Sequence, residues 1–332
     1  MGSKYAIILA MAIMLLVQVQ QSMQLKFNHP LHEVVDSINR RGSYLGLALA
    51  FPAEGNPLHA SGLFIPTQNH PIVEIAGRKF NVGTIKGVKV IYVVTGEKGV
   101  NAAIGIHTLL QNFNIKGLVY YGMAGCANIS MSVGDVGIPY QFAFTSSWRW
   151  LEFGATDTDE KQLDFGAYNL PRPGKNLLEK LLPEPVELLS DGKEVREQYW
   201  FPVDPHWYKL ASQLQGVKLD RCVNATTCLP YQPQVVYGVR GSTSDIFMSN
   251  LEYAKFLIKE HGVSTVDEES AAVVHASLTN GVPVIVFRGI SDVAGKQHIS
   301  VAGISALAAT NSFKVAMKFI DLLIKKKATY TI

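Results

Sequence analysis

Cysteine is scarce in this chain, with Cys126, Cys222 and Cys228 the only three in 332 residues. None stands at a C-x-x-C spacing, so zinc is not implied, and three thiols in so long a chain exclude a disulfide-dense miniature fold. Charge of one sign is also lacking. The formal net charge is +3, and the one basic cluster, Lys325-Lys326-Lys327, reads as a solvated helix end, so nucleic acid is not the expected partner. No internal repeat and no low-complexity tract is present. With 48% hydrophobic and 17% charged residues, the chain can bury a large core, and disorder does not dominate.

Long apolar runs are few. Near the N-terminus Lys4 precedes the run Tyr5 to Val17, followed by Gln18, Gln20, Gln21 and Ser22. That run is long enough for the core of a signal peptide and short for a membrane span. The expectation is a cleavable leader over residues 1–23, with an uncleaved signal anchor as the alternative. A secretory route, ending extracellularly or in a vacuole, fits two N-x-[ST] triplets at Asn128 and Asn224, although such triplets also arise by chance. Cys222 and Cys228 flank a short polar loop and could pair in an oxidising compartment; two free thiols are the other reading.

Strand-like and helix-like segments alternate along the rest. Tyr44–Ala50, Val88–Thr95, Gly117–Tyr121, Val263–Val266 and Val282–Gly289 read as buried strands, and Gly99–Phe113, Glu269–Leu278 and roughly Ala302–Lys325 as helices. The alternation predicts an α/β layered fold, a sheet covered by helices on both faces. Residues 148–237 break the rhythm with Pro, aromatics and charge, including Trp148, Trp150, Trp200 and Trp207. They are expected to form a large insertion packed on a single domain spanning 24–332.

In open α/β sheets, ligands bind where strands end. Four such junctions stand out. Ala50 to Leu58 carries Glu54, which could equally be a first-turn acid stabilised by a helix dipole. Tyr120 to Asn128 holds Gly122 and Gly125 in what reads as a loop able to turn backbone N–H groups toward a ligand; tight chain reversal explains it almost as well. Val266 to Leu278 places Asp267, Glu268 and Glu269 at the mouth of a buried helix, where an unpaired charge is expensive. Val286 to Gly295 delivers Arg288 and Asp292, for which an ion pair and a helix N-cap are the plain structural explanations.

The order of AFPAE, TGEKGVNAA, YYGMAGCAN, VGDVGIP, SDIFMSN, VDEESAA and FRGISDVAG resembles the purine nucleoside phosphorylase and nucleosidase superfamily. Within it the chain is similar to the methylthioadenosine/adenosylhomocysteine nucleosidase group and to the plant branch containing bark and vegetative storage proteins. The resemblance covers about Tyr44 to Lys325 apart from the insertion. It implies a three-layer α/β/α sandwich with a central mixed sheet and a homo-oligomer.

It also implies cleavage of a purine nucleoside's ribosyl C–N bond through an oxocarbenium-like state. Glu269 then binds the ribose hydroxyls, and Asp292 protonates the departing base, a role typically giving about 10²–10⁴-fold in rate. Glu54 orients the attacking water, Phe247 stacks on the base, Asp245 fixes its loop, and Arg288 steadies the anion or water side of the sugar. Asp267 and Glu268 are left to cap the helix or line the rim. No cofactor or metal is implied beyond phosphate as a co-substrate of a phosphorylase, and no membrane partner after leader removal. Two positions depart from the family pattern. Met123 replaces a hydroxyl residue at the place that touches phosphate or the nucleophilic water, and its thioether cannot donate a hydrogen bond. Glu268 stands where a methionine against the ribose is common, so that a second carboxylate is brought toward the sugar. The functions to separate are therefore a nucleosidase or phosphorylase, a storage protein on the same fold, and a purine-binding protein without turnover.

Overall fold

The computed structural model describes residues 30–127, 131–151, 163–164, 180–293 and 303–329. The leader and the Asn128 triplet lie outside them.

An 11-stranded mixed sheet forms the centre. Its strands are β1 (Tyr44–Leu49), β2 (Phe64–Pro66), β3 (Ile72–Ile75), β4 (Arg78–Ile85), β5 (Val88–Val94), β6 (Ile115–Cys126), β7 (Val136–Phe144), β13 (Phe201–Pro202), β14 (Val235–Thr243), β15 (Val263–Asp267) and β16 (Val284–Val293). β1 lies parallel between β5 and β6 with every residue buried, as its unbroken apolar sequence requires. β16 pairs with both β6 and β7, so β7, β14, β15, β6 and β16 close into a ring. The curl brings the ends of β6, β14, β15 and β16 to one place.

Helices cover both faces. α1 (Pro30–Asn39), α3 (Gly99–Asn112) and α6 (Ser270–Thr279) pack on one face through Ile38, Ile106, Leu109 and Val273. On the other face α2 (Asn56–Ser61), α4 (Pro205–Ala211) and α7 (Ile304–Thr329) contribute Leu58, Ala211, Phe313 and Phe319. A further helix, α5 (Leu251–His261), packs Tyr253, Phe256 and Leu257 beside β15. Among the described residues no helix is long and apolar enough to cross a membrane.

β7 and β14 are parallel neighbours, so the chain between them is one long connection. Its described parts include a sheet of three short strands, β8 (Trp148–Trp150), β9 (Leu163–Asp164) and β10 (Lys180–Pro183), and a pair, β11 (Val186–Leu188) and β12 (Arg196–Gln198). β13 joins the main sheet at β7. Trp207 of α4 packs at a tilt against Phe319 and lies so close to Gly117 that a Cβ there would come within 2.3 Å of the indole. Cys222 and Cys228 form a disulfide, and Asn224 is exposed within the loop it closes.

Two boundaries differ from expectation. The glycine-rich stretch after Tyr121 is a continuation of β6 to Cys126, and β16 runs on to Val293. The reason is non-local: β16 pairs with β6 from Leu118 to Cys126, and β15 adds a second partner at Gly125 and Cys126. Neither Gly122 nor Gly125 has a positive φ. Their smallness serves close approach.

Candidate functional site

Where β1 ends, Pro52 opens a single 3-10 turn that carries Glu54 into the protein, leaving it 3% exposed. Its Oε2 accepts from the N–H groups of Ala50 and Phe51 at 3.0 Å, and Oε1 accepts from the Met123 N–H at 2.6 Å. A glutamate three residues into a turn reaching back to its first N–H satisfies an orphan donor, one half of a capping box. Gly122 makes the contact with β6 feasible: a Cβ there would fall 2.3 Å from Glu54 Oε1 and 2.5 Å from Arg288 Nη1. Gly122 therefore serves close packing against Glu54 and Arg288, beside the cavity lined by its neighbour Met123.

The acid run divides three ways. Asp267 Oδ1 accepts from Thr243 Oγ1 at 2.7 Å and from the N–H groups of Glu269 and Ser270 at 3.1 and 2.9 Å, so it caps α6. Its Oδ2 accepts from Arg288 Nε at 2.9 Å. Glu269 accepts from the Lys98 N–H at 3.1 Å and from Arg288 Nη2 at 3.3 Å. Glu268 points elsewhere, to an ion pair with the Lys98 ammonium.

Arg288 is the hub. It is fully buried, with Nε on Asp267 and on Ser270 Oγ at 2.8 Å, Nη1 on the Met123 carbonyl at 3.1 Å, and its guanidinium 4.5 Å from the centre of the Tyr120 ring. Glu54 Oε1 lies 3.9 Å away. Arg288 is absent from the described lining of the cavity, yet its Nη1 and Nη2 lie against Met123, Glu54 and Glu269, which do line it. It positions these carboxylates.

One cation among Glu54, Asp267 and Glu269 leaves excess negative charge in a dry place. Burial pushes the Glu269 carboxyl up to about 7, with Arg288 opposing and Asp267 reinforcing the shift. Burial likewise raises Glu54, against the pull of Arg288 and three backbone N–H groups. For Arg288 burial favours the neutral form, and Asp267, Tyr120, Glu269 and Glu54 more than reverse it.

The far wall is built by β16. Between Ile290 and Asp292 its register on β6 slips by one residue, which makes Ser291 the extra residue of a bulge. Bulges re-aim side chains at sheet ends, and here Asp292 is half-buried at the cavity wall, where it accepts from Ser291 Oγ at 2.7 Å. Gly125 opposite gives it room, since a Cβ there would lie 3.0 Å from Asp292 Oδ1.

Over the mouth, the loop after β14 carries Ile246 and Phe247, 47% and 56% exposed, and Phe51 adds a third apolar side chain. Asp245 fixes this loop by accepting from the Gly99 N–H at 3.2 Å.

These walls enclose a cavity of about 310 Å³, within the range of small-molecule sites. Glu54, Met123, Phe247, Glu268, Glu269 and Asp292 all line it. Its described lining holds six carboxylates, adding Glu97 and Asp267, and no Lys, Arg or His. Such a cavity can accept hydrogen bonds from hydroxyls, orient water, give a proton from Asp292 and stabilise a developing cation. Sequence reasoning did not single out Lys98, Thr243 or Ser270. Only the TGEK stretch before α3 hinted at Lys98, and nothing local marks a buried hydroxyl that serves a carboxylate 24 residues away.

The chain is 39% identical to bark storage protein A of Populus deltoides over 306 residues, which cover 91% of this chain and 96% of that one. It is 25% identical over 264 residues to the 5′-methylthioadenosine/S-adenosylhomocysteine nucleosidase of Treponema pallidum, covering 75% and 84% of the two chains. The solved structure of the nucleosidase of that name from Colwellia psychrerythraea, in complex with adenine, shares the fold with a TM-score of 0.59 at 20% identity, over 84% of this chain and 95% of that one. Every cavity residue from Ala50 to Asp292 falls within residues 44–321, the span that matches the phosphorylase superfamily, and to that family the chain belongs.

Proposed function

We propose that this protein cleaves the N-ribosyl bond of a purine nucleoside by hydrolysis. Glu269 accepts hydrogen bonds from the ribose hydroxyls, Glu54 orients water toward the anomeric carbon, Asp292 protonates the departing base, and Phe247 covers the base. The observation that carries the reading is the acidic lining around these groups, six carboxylates and no Lys, Arg or His among the described residues. Departure of a purine leaves positive charge on the sugar, and fixed carboxylates in a poorly solvated site stabilise that charge as it develops.

The same lining favours water over phosphate. A phosphate dianion would meet like charges, and each pair of unit charges about 4 Å apart is repelled by roughly 4 kcal/mol at an effective dielectric of about 20. Among the described residues two cations pair with these carboxylates: Arg288 is fully buried and already shared among Asp267, Glu269, Ser270 and Met123, and Lys98 is paired with Glu268.

A second reading is a storage protein on the same fold, supported by the likeness to bark storage protein A and by the Met123 thioether in the cavity. A secretory route serves either reading, and the Cys222–Cys228 disulfide supports it. Assembly into a homo-oligomer is part of the proposal, with Val100 and Ile104 exposed one turn apart on α3.

The test is release of free base from a panel of purine nucleosides, with and without phosphate. The proposal expects release of equal rate in both conditions. Release that requires phosphate would make the protein a phosphorylase, and no release from any nucleoside would leave the storage reading.

A further inference from the structure

We propose that Lys98 is a positioning residue of this site: its ammonium holds Glu268 and the Phe247 loop in one wall, and so leaves Glu269 as the acceptor of the sugar hydroxyls. The inference rests on the nucleoside reading above.

Lys98 precedes α3 with φ 73° and ψ 157°, a backbone conformation that residues other than glycine rarely adopt. Three contacts repay it. Its N–H donates to Glu269 Oε1 at 3.1 Å, its Nζ donates to the Asp245 carbonyl at 3.2 Å, and the same Nζ pairs with the Glu268 carboxylate. One residue thus joins the start of α3, the loop that carries Ile246 and Phe247, and the start of α6. The ammonium is itself partly exposed, while the Glu268 side chain is only 18% exposed.

The charges around Glu269 show why the tie matters. Arg288 faces it from β16, Glu54 from the turn after β1, Asp267 from its own stretch, Tyr120 from β6, and the Lys98 N–H from the start of α3, while Glu268 is turned to the Lys98 ammonium. Arg288 is already shared with Asp267 and lies near Glu54. Without the Lys98 ammonium, Glu268 loses the ion pair that turns it away and is free to swing into the cavity it shares with Glu269, where a second carboxylate near the first raises one of the two. A protonated Glu269 can no longer accept two hydroxyl hydrogens, so nucleoside binding is lost from the acid side of a pH profile displaced upward.

The test is calorimetric binding of formycin A, an adenosine-like C-nucleoside whose glycosidic bond resists cleavage, and of adenine, across a pH series. The chains are wild type, Lys98→Met, Lys98→Arg and the double variant Lys98→Met with Glu268→Met. Lys98→Met should weaken formycin A by about tenfold near neutrality, corresponding to about one unit of carboxyl pKa. Adenine should change little, and the acid limb of the nucleoside profile should move to higher pH. Lys98→Arg, and the double variant that removes both charges, should return to within about threefold of wild type. If the double variant binds as weakly as Lys98→Met, or if adenine and formycin A fall equally with no displacement of the pH profile, the positioning role is refuted. A wild type that binds neither ligand would refute the nucleoside reading and this role with it.

Discussion

Replacing Arg288 by Met keeps a long, flexible side chain over the Tyr120 ring and removes the cation on which Asp267, Glu269 and Glu54 converge. All four groups are buried. Breaking a buried ion pair by deleting one partner destabilises by about 3–5 kcal/mol, because the other charge is left unpaired. Against a total of about 5–15 kcal/mol for a folded domain, the variant stays folded with a narrow margin. Its melting temperature should fall by roughly 6–15 °C. The pH dependence follows from the sign of the shift. Loss of the guanidinium raises the carboxyls further in the folded state, so the folded variant binds extra protons below those values. The deficit against wild type is therefore largest above neutrality and shrinks toward the ordinary carboxyl range. Urea unfolding followed by tryptophan fluorescence at about pH 8 and about pH 5 measures both quantities. A loss below about 1 kcal/mol, or one equal at the two pH values, would refute the account of Arg288 as the buried cation that compensates Asp267, Glu269 and Glu54.

Two further expectations follow from the same cluster. The folded Glu269 carboxyl, at about 7, lies above its ordinary 4.5, so its contribution favours the folded state below that ordinary value and is lost as pH rises through about 7. Glu269→Gln removes this slope, and the variant should gain on wild type by on the order of 3 kcal/mol between those limits; parallel stability curves would contradict the shift. Gly122→Ala puts a methyl group 2.3 Å from Glu54 Oε1, and should cut base release by at least about tenfold, the effect of moving a reacting group by a fraction of an ångström. Wild-type turnover in that variant would show that Glu54 does not need its place against β6.

Local pattern carried much of this structure into view. β1, β5 and α3 are continuous or periodic enough to be placed within a residue or two, and Glu54, Glu269 and Asp292 stand at strand ends, where ligand sites form. Pattern failed where partners distant in sequence decide. The glycines after Tyr121 read as a loop, yet pairing with β16 and β15 holds them extended. Arg288 reads as a group beside the ligand, and only the folded chain shows it bonded to Asp267, Ser270, Met123 and Glu269. Lys98 was missed because its conformation is set by Glu268, Glu269 and Asp245, roughly half the chain away. The sheet's closure into a ring likewise depends on β16 finding two partners.

The most direct measurement is single-turnover base release from a purine nucleoside by wild type, Glu54→Gln and Asp292→Asn, each shown to bind formycin A. The account predicts release by wild type without phosphate, and none above background from either variant despite retained binding. Release from both variants at the wild-type rate would contradict the assignment of water and proton to these carboxyls. Binding without release by the wild type itself would contradict the claim that this cavity cleaves what it holds.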